Sequence, residues 1–189
     1  NQVIKGYVRN SSNDIGKIKT QTNHAWNAVK LNNKWLYIDA TWAAGFVING
    51  KWERNFNDYF FNIPKQKYLL THYPENASWQ PGIKKMSLTT FFKQPIYATN
   101  FLKKGYKLLK PTNGILQVKK GTPINITLKN LNANQPIYCG FSNSKYAKKP
   151  KITITKNSTT ISIIPPKRSK KLHLIIDQQV MLEFLVKQY

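Results

Sequence analysis

The stretch Asn23-His24-Ala25-Trp26-Asn27-Ala28-Val29-Lys30-Leu31-Asn32-Asn33-Lys34-Trp35-Leu36-Tyr37-Ile38-Asp39-Ala40-Thr41-Trp42 reads as a β-hairpin that brings a histidine and an aspartate together. Both halves are apolar and aromatic, and Asn32-Asn33 between them tolerates the positive φ angles of a two-residue turn. With the turn at those two residues, Leu31 faces Lys34 and residues whose numbers sum to 65 pair across the ladder. His24 is then expected opposite Thr41, and Asp39 opposite Trp26. Side chains alternate faces, so His24, Trp26, Ala28 and Lys30 share one face with Thr41, Asp39, Tyr37 and Trp35. His24 and Asp39 become diagonal neighbours, about 7–8 Å apart along the backbone and within side-chain reach. A carboxylate so placed can accept an imidazole N–H, fix its tautomer and stabilise the imidazolium form. The other face, with Val29, Leu31, Leu36 and Ile38, is expected to point to the core.

The words of this hairpin, His-Ala-Trp-Asn-Ala-Val and then Trp-Leu-Tyr-Ile-Asp-Ala-Thr-Trp, resemble the histidine and aspartate motifs of the transglutaminase-like superfamily. The similarity is greatest to the branch that includes the kyphoscoliosis peptidases. Asp58-Tyr59-Phe60-Phe61, Thr71-His72-Tyr73-Pro74-Glu75 and Trp79-Gln80 resemble the segment that follows the aspartate in that branch, and Lys5-Gly6-Tyr7-Val8-Arg9 the strand that precedes the histidine. The resemblance covers roughly residues 1–85 and implies that His24 is a general base for a cysteine and Asp39 its orienting residue. It also implies one role for Trp26 and Trp42, the lining of an acyl-group tunnel; packing of the sheet is the other reading of the same two residues.

The family places its cysteine at a helix N-terminus ahead of the Gly6-Tyr7 strand, where the helix lowers the thiol pKa. This chain starts at that strand with Asn1, and its one cysteine, Cys139, lies far downstream in the apolar run Ile-Tyr-Cys-Gly-Phe. Cys139 is expected to be an inert, buried thiol, and His173 on another strand has no catalytic motif around it. The expectation is a C-terminal part of a longer protein whose cysteine lies upstream. The implied chemistry is cysteine-dependent acyl transfer or hydrolysis on peptide or glutamine amides, inactive in these 189 residues by themselves. The alternative is a non-catalytic pseudoenzyme or scaffold. His72 is expected to be structural.

Composition bounds the remaining choices. With 41% hydrophobic and 13% aromatic residues in 189, there is apolar material for one large domain or two small ones. No apolar run approaches a membrane span. No cofactor is expected: there is no glycine-rich phosphate loop and no Gly-x-Ser-x-Gly elbow, and His24, His72 and His173 lack metal-ligand spacing. The character changes near Trp79-Gln80-Pro81-Gly82. Beyond it, runs at 115–118, 124–128, 137–141, 152–155, 160–164, 172–176 and 181–186 alternate with turn-forming words. Seven short strands at this spacing predict an immunoglobulin-like sandwich.

The expected fold is therefore mainly β, or α+β if a helical N-terminal part is counted. Residues 1–85 would form the antiparallel sheet or barrel half of a papain-like transglutaminase core and 86–189 the sandwich, with 86–102 as the link. Charge is uneven: twelve cations against five carboxylates in 1–85, eighteen against two in 86–189, net +7 and +16. Beside a protein or peptide substrate, the expected partners are an anionic glycan, a wall polymer or a membrane surface, attracted by this charge. No recognised nucleic-acid-binding module is present. The same lysines also suit a merely solvated surface. Localisation stays open, with an extracytoplasmic setting favoured.

Overall fold

A computed structural model describes residues 1–189 except Ile83, Lys84 and Ala133. The chain divides into two compact units, Asn1–Val8 with Ile18–Phe91 and Arg9–Lys17 with Phe92–Tyr189. The boundary expected from sequence is 85/86, whereas this division falls between Phe91 and Phe92 and puts the early segment 9–17 in the second unit.

The first unit is built on β1 (Gln2–Val8), β2 (His24–Leu31) and β3 (Lys34–Ile38), followed by α1 (Ala40–Ala44), β4 (Gly45–Ile48), β5 (Lys51–Arg54), α2 (Asp58–Phe61), α3 (Tyr68–Thr71), β6 (His72–Pro74) and the part of α4 (Leu88–Lys93) up to Phe91. Its main sheet runs β3-β2-β1-β6, every pair antiparallel. Asn32 and Asn33 take φ of 49° and 60°, the left-handed pair that a tight turn between right-twisted strands requires. The ladder keeps the sum of 65, from Leu31 opposite Lys34 to Asn27 opposite Ile38. It stops there. Asp39 leaves the strand and caps α1 through its side chain, so Thr41 lies in a helix and not opposite His24.

The inward face is also the reverse of the expected one. Trp26, Ala28 and Tyr37 are buried, whereas Leu31 is 58% exposed and Val29, Leu36 and Ile38 are half-buried. The aliphatic side lost because the other carries the larger aromatic surfaces, which α2 and α3 cover with Phe60 and Tyr68. Gly6 sits in the middle of this sheet, between His24 on β2 and Pro74 on β6. A Cβ there would strike the Tyr73 carbonyl and lie 2.5 Å from the Trp26 ring, so only glycine lets the indole pass over β1.

The second unit adds β7 (Ile96–Tyr97), α5 (Thr99–Lys103), β8 (Lys107–Lys110), β9 (Ile115–Val118), β10 (Ile124–Lys129), β11 (Ile137–Phe141), β12 (Lys151–Ile154), β13 (Thr159–Ile163), β14 (Lys171–Ile176) and β15 (Gln179–Gln188). One sheet is ordered β12-β13-β10-β8, and the other β11-β14-β15-β7, with β9 joining β15 in parallel. Taken in chain order, β8 and β10–β15 occupy the places of the seven strands of a constant-type immunoglobulin sandwich, the first, second, fifth and fourth in one sheet and the third, sixth and seventh in the other. Ile124, Ile126, Leu128 and Ile161 from the first sheet and Leu172, Leu174, Ile176 and Phe184 from the second are buried, so each sheet has one inward face.

All seven strands expected from sequence are present, at bounds shifted by up to two residues. Residues 86–102, expected as the link, contain α4, β7 and most of α5. Segment 9–17 is fastened within the same unit. The Arg9 guanidinium donates to the carbonyls of Gln94 and Pro95 at 2.5 and 3.2 Å, Gly16 N–H to Phe92 O at 2.7 Å, and Ser12 N–H to the Glu183 carboxylate at 3.0 Å. Burial lowers the Arg9 pKa to about 10, against the opposing fields of Tyr97 and Asp14.

Candidate active site

His24 opens β2, and Asp39 sits one residue past the end of β3, where an aspartate both ends the strand and starts the helix. Its Oδ1 accepts from the Trp42 N–H at 3.0 Å, and its own N–H donates to Phe60 O at 2.8 Å. The first bond holds one carboxylate oxygen, and the second holds the main chain from which the carboxylate projects. His24 Nε2 lies 2.6 Å from Asp39 Oδ2. The same oxygen lies 3.0 Å from Nε2 of His72, the first residue of β6. His72 is fully buried, and its Nδ1 is 2.9 Å from Thr71 Oγ1.

His72 is the residue that sequence reasoning set aside. Its place follows from sheet register: His24 pairs with Gly6 on β1 and His72 with Val8, two residues along, so both project from the same face. Nothing local in the sequence announces a three-residue strand that pairs with β1 across more than sixty residues. The nearest signal is the motif Thr71-His72-Tyr73-Pro74 itself.

Asp39 is fully buried yet stays ionised. Burial alone would raise its pKa, but hydrogen bonds from His24, from His72 and from the Trp42 N–H outweigh it and hold the carboxyl well below the usual carboxylate range. For His72, burial is the larger effect: it lowers the pKa from 6.5 in spite of the Asp39 hydrogen bond and charge, so the ring is neutral near pH 7. His24 differs from both. Its side chain is 15% exposed, and among the described residues its Nδ1 has no hydrogen-bond partner.

Trp42 stands over the pair, its ring 5.4 Å from His24 and 5.0 Å from His72. It is half-buried and so retains surface at the site. Trp26 is 1% exposed, with its indole N–H donated to Tyr68 Oη at 2.9 Å and its ring 6.1 Å from His24. Of the two tryptophans expected at the site, Trp42 borders open space and Trp26 forms its floor.

Two histidines and a carboxylate are also the donor set of many metal centres, and the ligand atoms of His24, Asp39 and His72 all lie within 4.8 Å of one another. The sequence spacing of the histidines hid this cluster. Two donors on one tetrahedral zinc, each bonded at about 2.0–2.1 Å, stand roughly 3.3 Å apart. The 2.6 and 3.0 Å separations here are hydrogen-bond distances. As arranged, the cluster is a hydrogen-bonded carboxylate and does not fit a metal. Cys139 is the one free thiol; it is buried in β11 of the second unit, and burial pushes its pKa up to about 12, the reverse of an activated nucleophile. His173 Nε2, on β14, is 3.8 Å from Glu183 Oε2.

No family model matches the chain. It is similar to the kyphoscoliosis peptidase of Homo sapiens, 24% identical over 166 residues, which is 86% of this chain and 24% of the relative. It is also similar to cytokinesis protein 3 of Schizosaccharomyces pombe, 27% identical over 118 residues (62% of this chain, 13% of the relative). With the Lim and transglutaminase domain protein ltd-1 of Caenorhabditis elegans it shares 23% over 114 residues, 53% of this chain and 16% of that protein. These similarities point to a transglutaminase-like relationship. The chain spans about a quarter of the length of the kyphoscoliosis peptidase it matches. A solved titin I27 domain mutant covers 44% of this chain and 89% of its own length at 9% identity and a TM-score of 0.30, too distant to carry an argument.

Proposed function

We propose that His24 and Asp39 are the base half of a thiol-dependent site for acyl transfer or hydrolysis on peptide or glutamine amides. One observation carries the reading: Nε2 of His24 is committed to Asp39 at 2.6 Å, which leaves Nδ1, without a hydrogen-bond partner among the described residues and on a side chain that is 15% exposed, as the proton acceptor. In this mechanism Nδ1 takes the proton of a cysteine S–H, and the thiolate attacks the amide carbon. The imidazolium, stabilised by ionised Asp39, then returns the proton to the departing amine and leaves a thioester. Water resolves the thioester to an acid, and an amine resolves it to a new amide. The thiol is not Cys139, whose burial suppresses the thiolate. Trp42 would flank the acyl group at the open edge of the site.

Labelling of the natural full-length protein with iodoacetamide at neutral pH tests this. One cysteine should react faster than a free thiol, and His24→Ala should remove that excess rate while the fold persists. A rate indifferent to His24, or no fast-reacting cysteine, would sink the proposal.

A second reading, a non-catalytic protein that binds an anionic polymer, is favoured by one face of the second unit. The strands β8, β10, β12 and β13 contain no carboxylate; both acidic residues of 86–189 belong to the other sheet, Asp177 in the β14–β15 turn and Glu183 on β15. Lys107 and Lys129 stand directly opposite each other, both exposed, and Thr127 and Thr160 join hydroxyls at 3.1 Å beside them. Like charges placed in register destabilise a sheet unless an anion relieves them. This arrangement supports a polyanion laid across the strands.

A further inference from the structure

The observations left over from the site concern His72. We propose that His72 is a positioning residue: its Nε2–H holds the Asp39 carboxylate so that Oδ2 stays aimed at His24 Nε2–H. The inference rests on reading His24 as the base, and it adds a fourth member to the site.

The chain of hydrogen bonds has a direction. Asp39 is ionised and can only accept, so the one proton of the neutral His72 ring sits on Nε2, 3.0 Å from Oδ2, and at the 2.9 Å contact with Nδ1 the Thr71 hydroxyl is the donor. Nδ1 is then an acceptor, the neutral ring carries its proton on Nε2, and that proton is donated to Asp39 Oδ2. His24 donates to the same oxygen from the solvent side. Every donor has an acceptor, and no proton is shared between two bonds.

A plain core role does not account for this arrangement. Capping of α1 uses only Oδ1, and asparagine or serine at position 39 would do that without burying a charge. Oδ2 faces the two imidazoles. The rest of the His72 surroundings is aromatic, with Trp26, Trp42 and Phe60 at ring separations of 4.9, 5.0 and 6.0 Å and Tyr68 at 6.1 Å. A leucine or phenylalanine would fill such a cage with no polar group to satisfy. The charged and titratable groups that face His72 are Asp39, His24 and Tyr68. With one donor removed, Oδ2 loses one of the two bonds that fix it, and the carboxylate is free to turn about its Cβ–Cγ bond as far as the Trp42 bond allows.

Nitrogen-15 and proton NMR of the 189-residue chain tests the proposal without turnover. In the unsubstituted protein near pH 7, His72 should show a protonated Nε2 and a bare Nδ1, and His24 should show a slowly exchanging, strongly downfield Nε2–H. His72→Gln keeps an N–H donor in the cage and should retain the His24 signal. His72→Phe keeps a ring without the donor and should lose it to fast exchange. A protonated Nδ1 on His72 in the unsubstituted chain overturns the proposal, and that measurement stands even if His72→Phe does not fold. So does a folded His72→Phe whose His24 proton is unchanged, or a folded His72→Gln that loses it. The acyl-transfer reading is decided separately, by the response of thiol labelling to His24→Ala.

Discussion

Asp39 serves three donors with two oxygens, and its replacement is informative at the level of single bonds. An asparagine in its place would keep the cap on α1 but could not accept from both imidazoles, because one oxygen becomes an N–H2 that opposes an N–H donor. Asp39→Asn is therefore expected to cost about 1–3 kcal/mol, read by urea unfolding. His72 gives a pH signature. Unfolded, it takes up a proton as pH falls through about 6.5; folded, burial keeps it neutral to lower pH. The unfolded state then binds more protons, so this residue's contribution is fully present above pH 6.5 and declines below it. The thermal midpoint should fall between pH 7 and pH 5, and His72→Gln should flatten that fall. A slope unchanged by the substitution would show that other groups set it.

Among the elements, the hairpin from His24 to Asp39 was the most legible, because its register is local. Two asparagines fix the turn and the turn fixes the pairing as far as Asn27 and Ile38; Asp39, one residue beyond, reaches His24 through its side chain. Which side is buried was not legible. That depends on α2 and α3, whose covering residues come from 58–71 and whose docking no nearby periodicity encodes. The strand β6 was hidden for the same reason, and His72 with it. In the second unit, alternation and turn words revealed seven strands. They missed β7, which is two residues long, and β8, where Leu108 and Leu109 are adjacent and break the alternation. Gly6 marks where the sheet depends on an absent side chain. Gly6→Ala should destabilise by roughly 1–3 kcal/mol or more, since the Trp26 ring and the β6 backbone both stand in the way. Differential scanning calorimetry measures it, and a midpoint equal to that of the parent protein would refute the packing argument.

For the molecule as a whole, charge and chain path yield separate expectations. The net charge of +23 acts at long range, whereas the Lys107–Lys129 pair is a local concentration of charge, and under the polyanion proposal the two make different demands. Retention on immobilised polyphosphate should weaken as salt rises, and Lys107→Glu with Lys129→Glu should weaken it more than the same change at Lys51 and Lys34, exposed lysines of the first unit. Equal effects would mean that bulk charge alone governs retention. Chain path matters for dissection: a fragment beginning at residue 86 leaves out Arg9 and Gly16, which are bound to Gln94, Pro95 and Phe92.

The same path sets a timetable for biosynthesis. Ser12 leaves the ribosome before its partner, because the carboxylate that receives its N–H belongs to a residue made 171 positions later. At about 5–20 residues per second, the wait is on the order of 10–30 s. During that interval the strands on either side of segment 9–17 can already pair, so the segment must loop out of a finished hairpin and wait. The strand that recruits it is β15, so maturation of the second unit waits for the synthesis of residues 179–188.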